Sequence, residues 1–179
     1  MKRLAQAGGL VLAVAMVAGC SSSAPEGPRV VTAATPERLR VLWEPVMGLA
    51  GEWEMLDDKG VKSPALSVRV TSGGSVVHEV MFPGANHEMT NVYHMDGSDL
   101  VMTHYCAFGN QPTMRATAVK NGEIAFAFDG VTNLRAADET YMGTMTLVIR
   151  DKDHMEQTWT SFKAGKAEPP ITFKFEKKK

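Results

Sequence analysis

Short runs in which apolar and polar side chains alternate occupy most of the chain after residue 50. Alternation with a period of two places successive side chains on opposite faces of a β-strand. Turn residues such as Asp-Gly and Asn-Gly separate the runs, so consecutive strands are expected to pair antiparallel. The pattern predicts strands at about residues 52–56, 65–71, 76–82, 88–95, 99–107, 114–120, 123–129, 141–150, 154–162 and 172–176.

A meander of this kind is expected to close into a barrel, because closure removes the exposed edges of the sheet. We therefore predict an all-β fold, an antiparallel up-and-down barrel of eight to ten strands. Residues 124–128 and 171–175 each carry large apolar side chains at every second position, which indicates the face that points inward. A barrel of this size can have room inside for a small ligand.

A short helix is predicted before the first strand. Thr35 is a suitable N-cap residue, and Pro36 follows at the first helical position. Pro45 is expected to kink or end the helix early. The residues that share one helical stripe are Leu39, Leu42, Trp43 and Val46.

The segment Asn86–Met114 contains three of the five histidines and the only cysteine that follows residue 20. Asp96-Gly97 predicts a tight hairpin between two strands of this segment. On the second strand His104 and Cys106 project from the same face, and a second turn is expected at Gly109-Asn110-Gln111-Pro112. We interpret the hairpin as the wall or open mouth of an internal cavity.

The triplet Gly51-Glu52-Trp53 resembles the Gly-x-Trp signature of lipocalins and related calycin barrels. The resemblance implies that Trp53 plugs the closed end of a barrel, behind a short N-terminal helix.

A second resemblance covers about Leu49–Thr160. It is to a family of mostly uncharacterised exported bacterial proteins with a calycin-like barrel, and it implies a fold and a pocket but no settled activity. The motifs that carry it are His87-Glu88-Met89, Tyr93-His94-x-Asp96-Gly97, Thr103-His104-Tyr105-Cys106, Gly109-Asn110-Gln111-Pro112 and Thr132-Asn133-Leu134.

The N-terminus has the pattern of an export signal. A basic start, Met1-Lys2-Arg3, precedes an apolar segment, Leu10–Ala18, which is too short for a permanent membrane span. The following Val17-Ala18-Gly19-Cys20 resembles a bacterial lipobox, which implies cleavage before Cys20 and lipid modification of that cysteine. Two or three acyl chains, palmitate among them, are expected to anchor the protein stably in a membrane.

These patterns divide the chain into three parts: a lipoprotein signal peptide at 1–19, a flexible Ser- and Pro-rich tether at 20–35 and the barrel domain at 36–179. Ser21, rather than Asp, follows Cys20. This favours the outer membrane of a bacterial cell envelope, with the barrel facing the periplasm.

Composition narrows the possible partners. The chain is 44% hydrophobic and 22% charged, which is typical of a folded domain with a full core. The formal net charge of −1 argues against electrostatic binding to nucleic acid. If Cys20 is lipidated, Cys106 has no cysteine left to pair with in the chain.

The favoured function is binding of a small apolar or amphipathic ligand in a pocket with few charges. Such sites are mostly apolar and carry a few convergent polar groups. No cofactor is identified by the sequence. The predicted ligand-binding residues are Tyr93, Thr103, His104, Tyr105, Cys106, Asn110, Gln111, Met114 and Asn133.

Three alternatives remain open at this point. Imidazole and thiolate bind zinc, copper and haem iron, so His87, His104 and Cys106 are the candidate ligands of a metal or haem. His94 and His154 are further imidazoles, but the pattern does not determine which way they face relative to these candidates. Cysteine catalysis, with Cys106 as nucleophile and a histidine as base, is not favoured, because no oxyanion loop is recognisable. The third alternative is a structural or assembly lipoprotein without a ligand.

Overall fold

The computed structural model describes residues 27–56 and 59–179. The predicted signal peptide and the lipidation site Cys20 lie outside these residues. The strands of the described part are β1 Gly51–Leu56, β2 Lys62–Thr71, β3 Val76–Met81, β4 Met89–Asp96, β5 Asp99–Tyr105, β6 Gln111–Ala116, β7 Val119–Lys120, β8 Glu123–Thr132, β9 Tyr141–Ile149, β10 His154–Lys163, β11 Lys166–Ala167 and β12 Ile171–Lys177.

Ten of these strands close into an antiparallel barrel. Around the barrel the order is β1-β2-β3-β4-β5-β6-β8-β9-β10-β12, and β12 pairs with β1 to complete the ring. The two-residue strands β7 and β11 pair with β8 and β10 beside it. The predicted all-β antiparallel barrel is therefore confirmed, at the upper limit of the expected strand number. The architecture is compatible with a calycin-like fold.

The predicted N-terminal helix is also confirmed, but it does not end early. It consists of an α-helical turn at Pro36–Arg38, a π-helical segment at Leu39–Trp43 and a second α-helical turn at Glu44–Met47. Thr35 caps it, since its hydroxyl accepts a hydrogen bond from the Arg38 backbone N–H at 3.3 Å. Pro45 is accommodated at the start of the last turn, where a missing N–H is tolerated.

This helix covers one end of the barrel, which we call the closed end. Leu42 and Val46 are fully buried, and the Arg38 guanidinium donates to the carbonyls of Ser98 and Thr117 in two strand-connecting turns. Trp53 is buried near the helix, and its Nε1 donates to the Leu49 carbonyl at 2.8 Å. The connecting segments 82–88, 106–110, 133–140 and 164–170 lie at the other end, which we call the open end.

The second turn of the central segment lies earlier than predicted. The Gly109 N–H donates to the Cys106 carbonyl at 2.9 Å, and the Cys106 N–H donates to the Asn110 carbonyl at 3.1 Å. Gly109 supplies the left-handed backbone of this turn with a φ of 85°. Gln111 and Pro112 therefore belong to β6 and not to the turn, and the predicted strand at 114–120 is divided between β6 and β7.

Two apolar residues that were expected to face inward are exposed: Phe128 is 44% exposed and Ile171 56%. Phe108, beside Cys106, is 54% exposed as well. Phe108 lies in the turn, Ile171 begins β12, and the pairing of β6 with β8 shifts register beside Phe128. The inward alternation ends at the rim because the barrel interior ends there.

The helix in the described part of the chain is too short to cross a bilayer.

Backbone and side chain pack closely at Gly143 of β9. A Cβ atom placed there would overlap ring carbons of Phe162 on β10. The Phe162 ring also stacks on Tyr141, with 5.9 Å between ring centroids. We therefore expect Gly143→Ala to lower the free energy of unfolding by about 1–3 kcal/mol through overpacking, measured by urea denaturation.

The matched background is Phe162→Leu, which removes the ring edge that the new methyl group meets. Gly143→Ala should cost clearly less in that background than in the native chain. Equal costs in both backgrounds would show that the ring is not the source of the effect.

Candidate functional site

A belt of polar side chains crosses the barrel interior around Glu79. Glu79 lies on β3 between the inward-facing Val77 and Met81, and it is fully buried. Its carboxylate accepts from Asn91 Nδ2 at 2.5 Å on β4. Gln157 Nε2, on β10 across the barrel, donates to both carboxylate oxygens at 3.2 and 3.0 Å. A buried carboxyl therefore links three strands of the closed sheet.

Two aromatic residues also belong to the belt. The Tyr93 hydroxyl donates to Glu79 Oε1 at 3.4 Å. Trp159 Nε1 donates to Gln157 Oε1 at 3.1 Å, and this bond orients the Gln157 amide so that its nitrogen faces Glu79. Every partner of Glu79 in this belt is uncharged, so the carboxyl is held by hydrogen bonds and not by an ion pair.

His104 extends the belt onto β5. Its Nδ1 lies 2.7 Å from Asn91 Oδ1. Asn91 gives its amide nitrogen to Glu79, so its oxygen must accept and His104 Nδ1 carries the hydrogen. The neutral ring then presents Nε2 as an acceptor, and this atom is buried without a hydrogen-bond partner among the described residues.

Burial determines the protonation of the belt. Desolvation raises the pKa of Glu79, although hydrogen bonds from Asn91, Gln157 and Tyr93 oppose the change. Desolvation, followed by the charge of Glu79, raises the pKa of Tyr93 well above its ordinary value. Desolvation also lowers the pKa of His104 to about 4, so the imidazole is neutral at physiological pH.

An apolar groove with a volume of about 530 Å³ lies at the open end. The Phe82 ring contacts two other lining rings, with ring centroids 5.0 Å from His87 and 5.7 Å from Phe173. The groove shares only His87 with the segment 86–114. Its lining residues are Met55, Pro64, Phe82, Pro83, Ala85, His87 and Phe173.

A smaller depression of about 190 Å³ lies elsewhere on the open end. Asn110 is buried in its wall, and its Nδ2 donates to the Thr140 carbonyl at 2.9 Å. The opposite amide atom, Asn110 Oδ1, has no partner within the described part of the chain. The other lining residues are Phe108, Arg135, Glu139 and Thr140.

The structure separates the predicted ligand-binding residues into three groups. Tyr93, His104 and Met114 are buried in the interior, and Cys106 and Asn110 are buried near the open end. Thr103 and Tyr105 face away from the interior; Tyr105 is 49% exposed, and the Thr103 hydroxyl contacts that of Thr113. The third group, Gln111 and Asn133, binds the turn, since both side chains donate to the Gly109 carbonyl.

The imidazole and thiol candidates are similarly dispersed. His104 on β5 and Cys106 directly after β5 are buried, whereas His87 lines the groove at the rim. His94 is on the outward-facing side of β4, and His154 is exposed and paired with Asp151. No cluster of three or more metal-binding side chains occurs within residues 27–56 and 59–179. Burial raises the pKa of the Cys106 thiol, which keeps it protonated at neutral pH.

Sequence reasoning missed Glu79, the carboxyl at the centre of the belt, and Gln157, its partner across the barrel. Each occupies an inward position of an otherwise apolar alternation: Glu79 between Val77 and Met81, and Gln157 between Met155 and Trp159. A polar residue at such a position is the signal that the sequence offers. Of the groove residues, Phe82 falls at the end of the predicted strand at 76–82 and Pro83 directly after it, and neither carried a functional signal.

The chain matches no protein-family model and no curated protein sequence.

The lowered pKa of His104 predicts a pH-dependent stability. In the unfolded chain the imidazole titrates near 6.5, whereas in the folded protein it titrates near 4. The unfolded state therefore binds the proton more tightly, and the stabilisation present above pH 6.5 is lost as the pH falls towards 4. The loss is roughly 3 kcal/mol, measured by urea denaturation at a series of pH values.

Glu79 acts in the opposite sense, because its raised pKa favours the folded state as the pH falls. The comparison of native protein with His104→Phe removes this shared contribution, and the difference between their free energies of unfolding should change between pH 6.5 and 4. His78→Gln, on the outer face of β3, is the control and should retain the native profile. A profile of His104→Phe parallel to the native one would refute the assignment.

Proposed function

We propose that this protein is a lipid-anchored barrel of the bacterial cell envelope that binds a small, mostly apolar ligand in the groove around Phe82 and Phe173. The observation that carries the proposal is the groove itself, whose volume of about 530 Å³ falls within the usual range of small-molecule sites. A barrel is compatible with such a role, since its rim can hold side chains around an opening.

The lining supports an apolar ligand with a polar group at one edge. Met55 and Phe173 offer polarisable and aromatic contacts, and His87 supplies the imidazole at the rim. Phe82 has a φ of 54°, a left-handed conformation that is costly for a bulky residue. Such strain is concentrated at binding and catalytic sites, and here it occurs at a residue whose ring lines the groove.

The ligand proposal is tested by filling the groove. Ala85→Trp places an indole against the lining without removing any native contact, whereas Asn86→Trp adds the same group at the exposed next residue. With N-phenyl-1-naphthylamine as the fluorescent apolar probe, we expect Ala85→Trp to weaken binding roughly tenfold or more. Asn86→Trp should retain native affinity, and equal affinity in both variants would exclude the groove as the site.

The anchor proposal is supported by the lipobox resemblance at Val17–Cys20 and is tested separately. Cys20→Ser is expected to abolish incorporation of radiolabelled palmitate and to release the protein from the membrane fraction, because the acylated sulfur is lost. Cys106→Ser is the matched control, since the chain has only two cysteines. Continued labelling of Cys20→Ser would refute lipidation at this residue.

A further inference from the structure

A second groove, of about 340 Å³, lies at the closed end between the helix and the sheet, and we call it the closed-end groove. The helix contributes Arg40, Val41 and Pro45 to its lining. Val41 is 37% exposed although it is apolar, so this part of the helix offers an uncovered hydrophobic surface. The wall opposite the helix comes from β7, β8 and β9, with the side chains of Val119, Ile124 and Ile149.

Arg40 adds a positive charge to this apolar lining. It is exposed, and its guanidinium forms no hydrogen bond or ion pair with the residues that the structure describes. Lys120, which follows Val119, is exposed as well. Three carboxylates are close to the lining in sequence but do not belong to it: Glu37, Glu44 and Glu123. An apolar surface with an available cation complements an anionic amphiphile.

The segment that leads to the proposed lipid anchor arrives at the same end of the barrel. A Cβ atom built on Gly97, in the turn between β4 and β5, would lie 3.1 Å from the Thr32 carbonyl oxygen and 3.3 Å from Val31 Cβ. The segment 31–32 therefore packs against this turn. Eleven residues lead from Cys20 to Val31, and they span at most about 40 Å when fully extended.

The turn that holds the segment 31–32 adjoins the closed-end groove. Arg38, two residues before Arg40, donates to the Ser98 carbonyl in this turn at 2.6 Å. The same guanidinium donates at 2.7 Å to the carbonyl of Thr117, two residues before the lining residue Val119. A lipid anchor at Cys20 would therefore keep the closed-end groove close to the membrane.

We propose that the closed-end groove binds an anionic phospholipid of the membrane, with the phosphate at Arg40 and an acyl chain against Val41 and Ile124. The inference rests on the proposed lipid anchor, which brings the groove close to lipid. The groove around Phe82 lies at the opposite end of the barrel, so a barrel held in this way presents that groove to the aqueous phase.

The test titrates three probes into the ¹⁵N-labelled full chain that carries Cys20→Ser, by nuclear magnetic resonance below the micelle concentration. This variant cannot be acylated at residue 20, so a failure of the anchor and a failure of the lipid site are distinguishable. Dihexanoylphosphatidylglycerol carries a net negative charge and acyl chains, dihexanoylphosphatidylcholine the same chains without net charge, and glycerol 3-phosphate a phosphate without chains. We expect the first to bind roughly fivefold more tightly than either of the others and to shift the amide resonance of Gly122, which also lines the closed-end groove.

Equal binding of the phosphatidylcholine would overturn the role of the positive charge. Equal binding of glycerol 3-phosphate would show a site for anions that makes no use of the apolar lining, and would overturn the lipid proposal. Gly84 lies between two lining residues of the groove around Phe82. Shifts at Gly84 without shifts at Gly122 would place the lipid at the open end and exclude the closed-end groove.

The dipeptide Arg40-Val41 has a matched control in Arg69-Val70 on β2. Both arginines are exposed, and both valines are 37% exposed. Arg40→Gln should weaken binding of the phosphatidylglycerol roughly fivefold and Val41→Ser roughly threefold. Arg69→Gln and Val70→Ser, which lie outside the groove, should leave binding within about twofold of native. Equal losses in the two pairs would refute the assignment to the closed-end groove.

Discussion

The buried carboxyl of Glu79 is the constraint on which the rest of the interior depends. A carboxyl removed from water must be supplied with donors or lose its charge. Here the donors come from β4 and β10, on different parts of the ring, so satisfying one side chain requires the barrel to be closed in the correct register. A slip of one residue on β4 would turn Asn91 outward and leave Glu79 with an unmet requirement.

The hydrogen bonds of Glu79 also determine how the neighbouring side chains are oriented. Because Glu79 takes the Asn91 nitrogen, the Asn91 oxygen faces His104 and fixes its tautomer. Because the tautomer is fixed, Nε2 is left as an acceptor in a part of the interior with no donor from the described residues. A polar network of this kind favours one arrangement of the strands, because any other register would leave buried groups without partners.

Much of the fold was predictable because it depends on local patterns. Alternation of apolar and polar residues predicted the strands, Asp96-Gly97 predicted the hairpin, and Thr35-Pro36 predicted the start of the helix. An error occurred where tertiary structure overrides the local signal: Phe128 continues the alternation of Ile124 and Phe126 but is exposed, at the point where the pairing of β6 with β8 shifts register. The outward orientation of Tyr105 follows from the same alternation that turns His104 inward.

The candidate site was harder to predict, because its parts come together only in the closed sheet. Glu79 and Gln157 are 78 residues apart in sequence and meet across the barrel. The groove unites β1, β2, β12 and the β3–β4 connection, none of which has a distinctive motif of its own. The segment 86–114 contains three of the five histidines, yet His87 is the one residue of this segment that lines the groove. Sequence patterns revealed which side chains face inward, but not which inward-facing groups contact each other.

The interior is layered, with an apolar core at the closed end and a belt of polar side chains above it. At the closed end, Leu42, Val46 and Trp53 bury apolar surface against the helix, which contributes stability without specifying a ligand. Above them lies the belt around Glu79. Burying its carboxyl costs desolvation free energy, but its hydrogen bonds are made only in one register of the strands, whereas apolar contacts alone distinguish the registers weakly. The strained residue Phe82 lies outside this belt, at the open end, whereas the unsatisfied acceptor His104 Nε2 belongs to the belt itself. A barrel that was apolar throughout would be more tolerant of register errors, because no buried polar group would depend on one particular strand pairing.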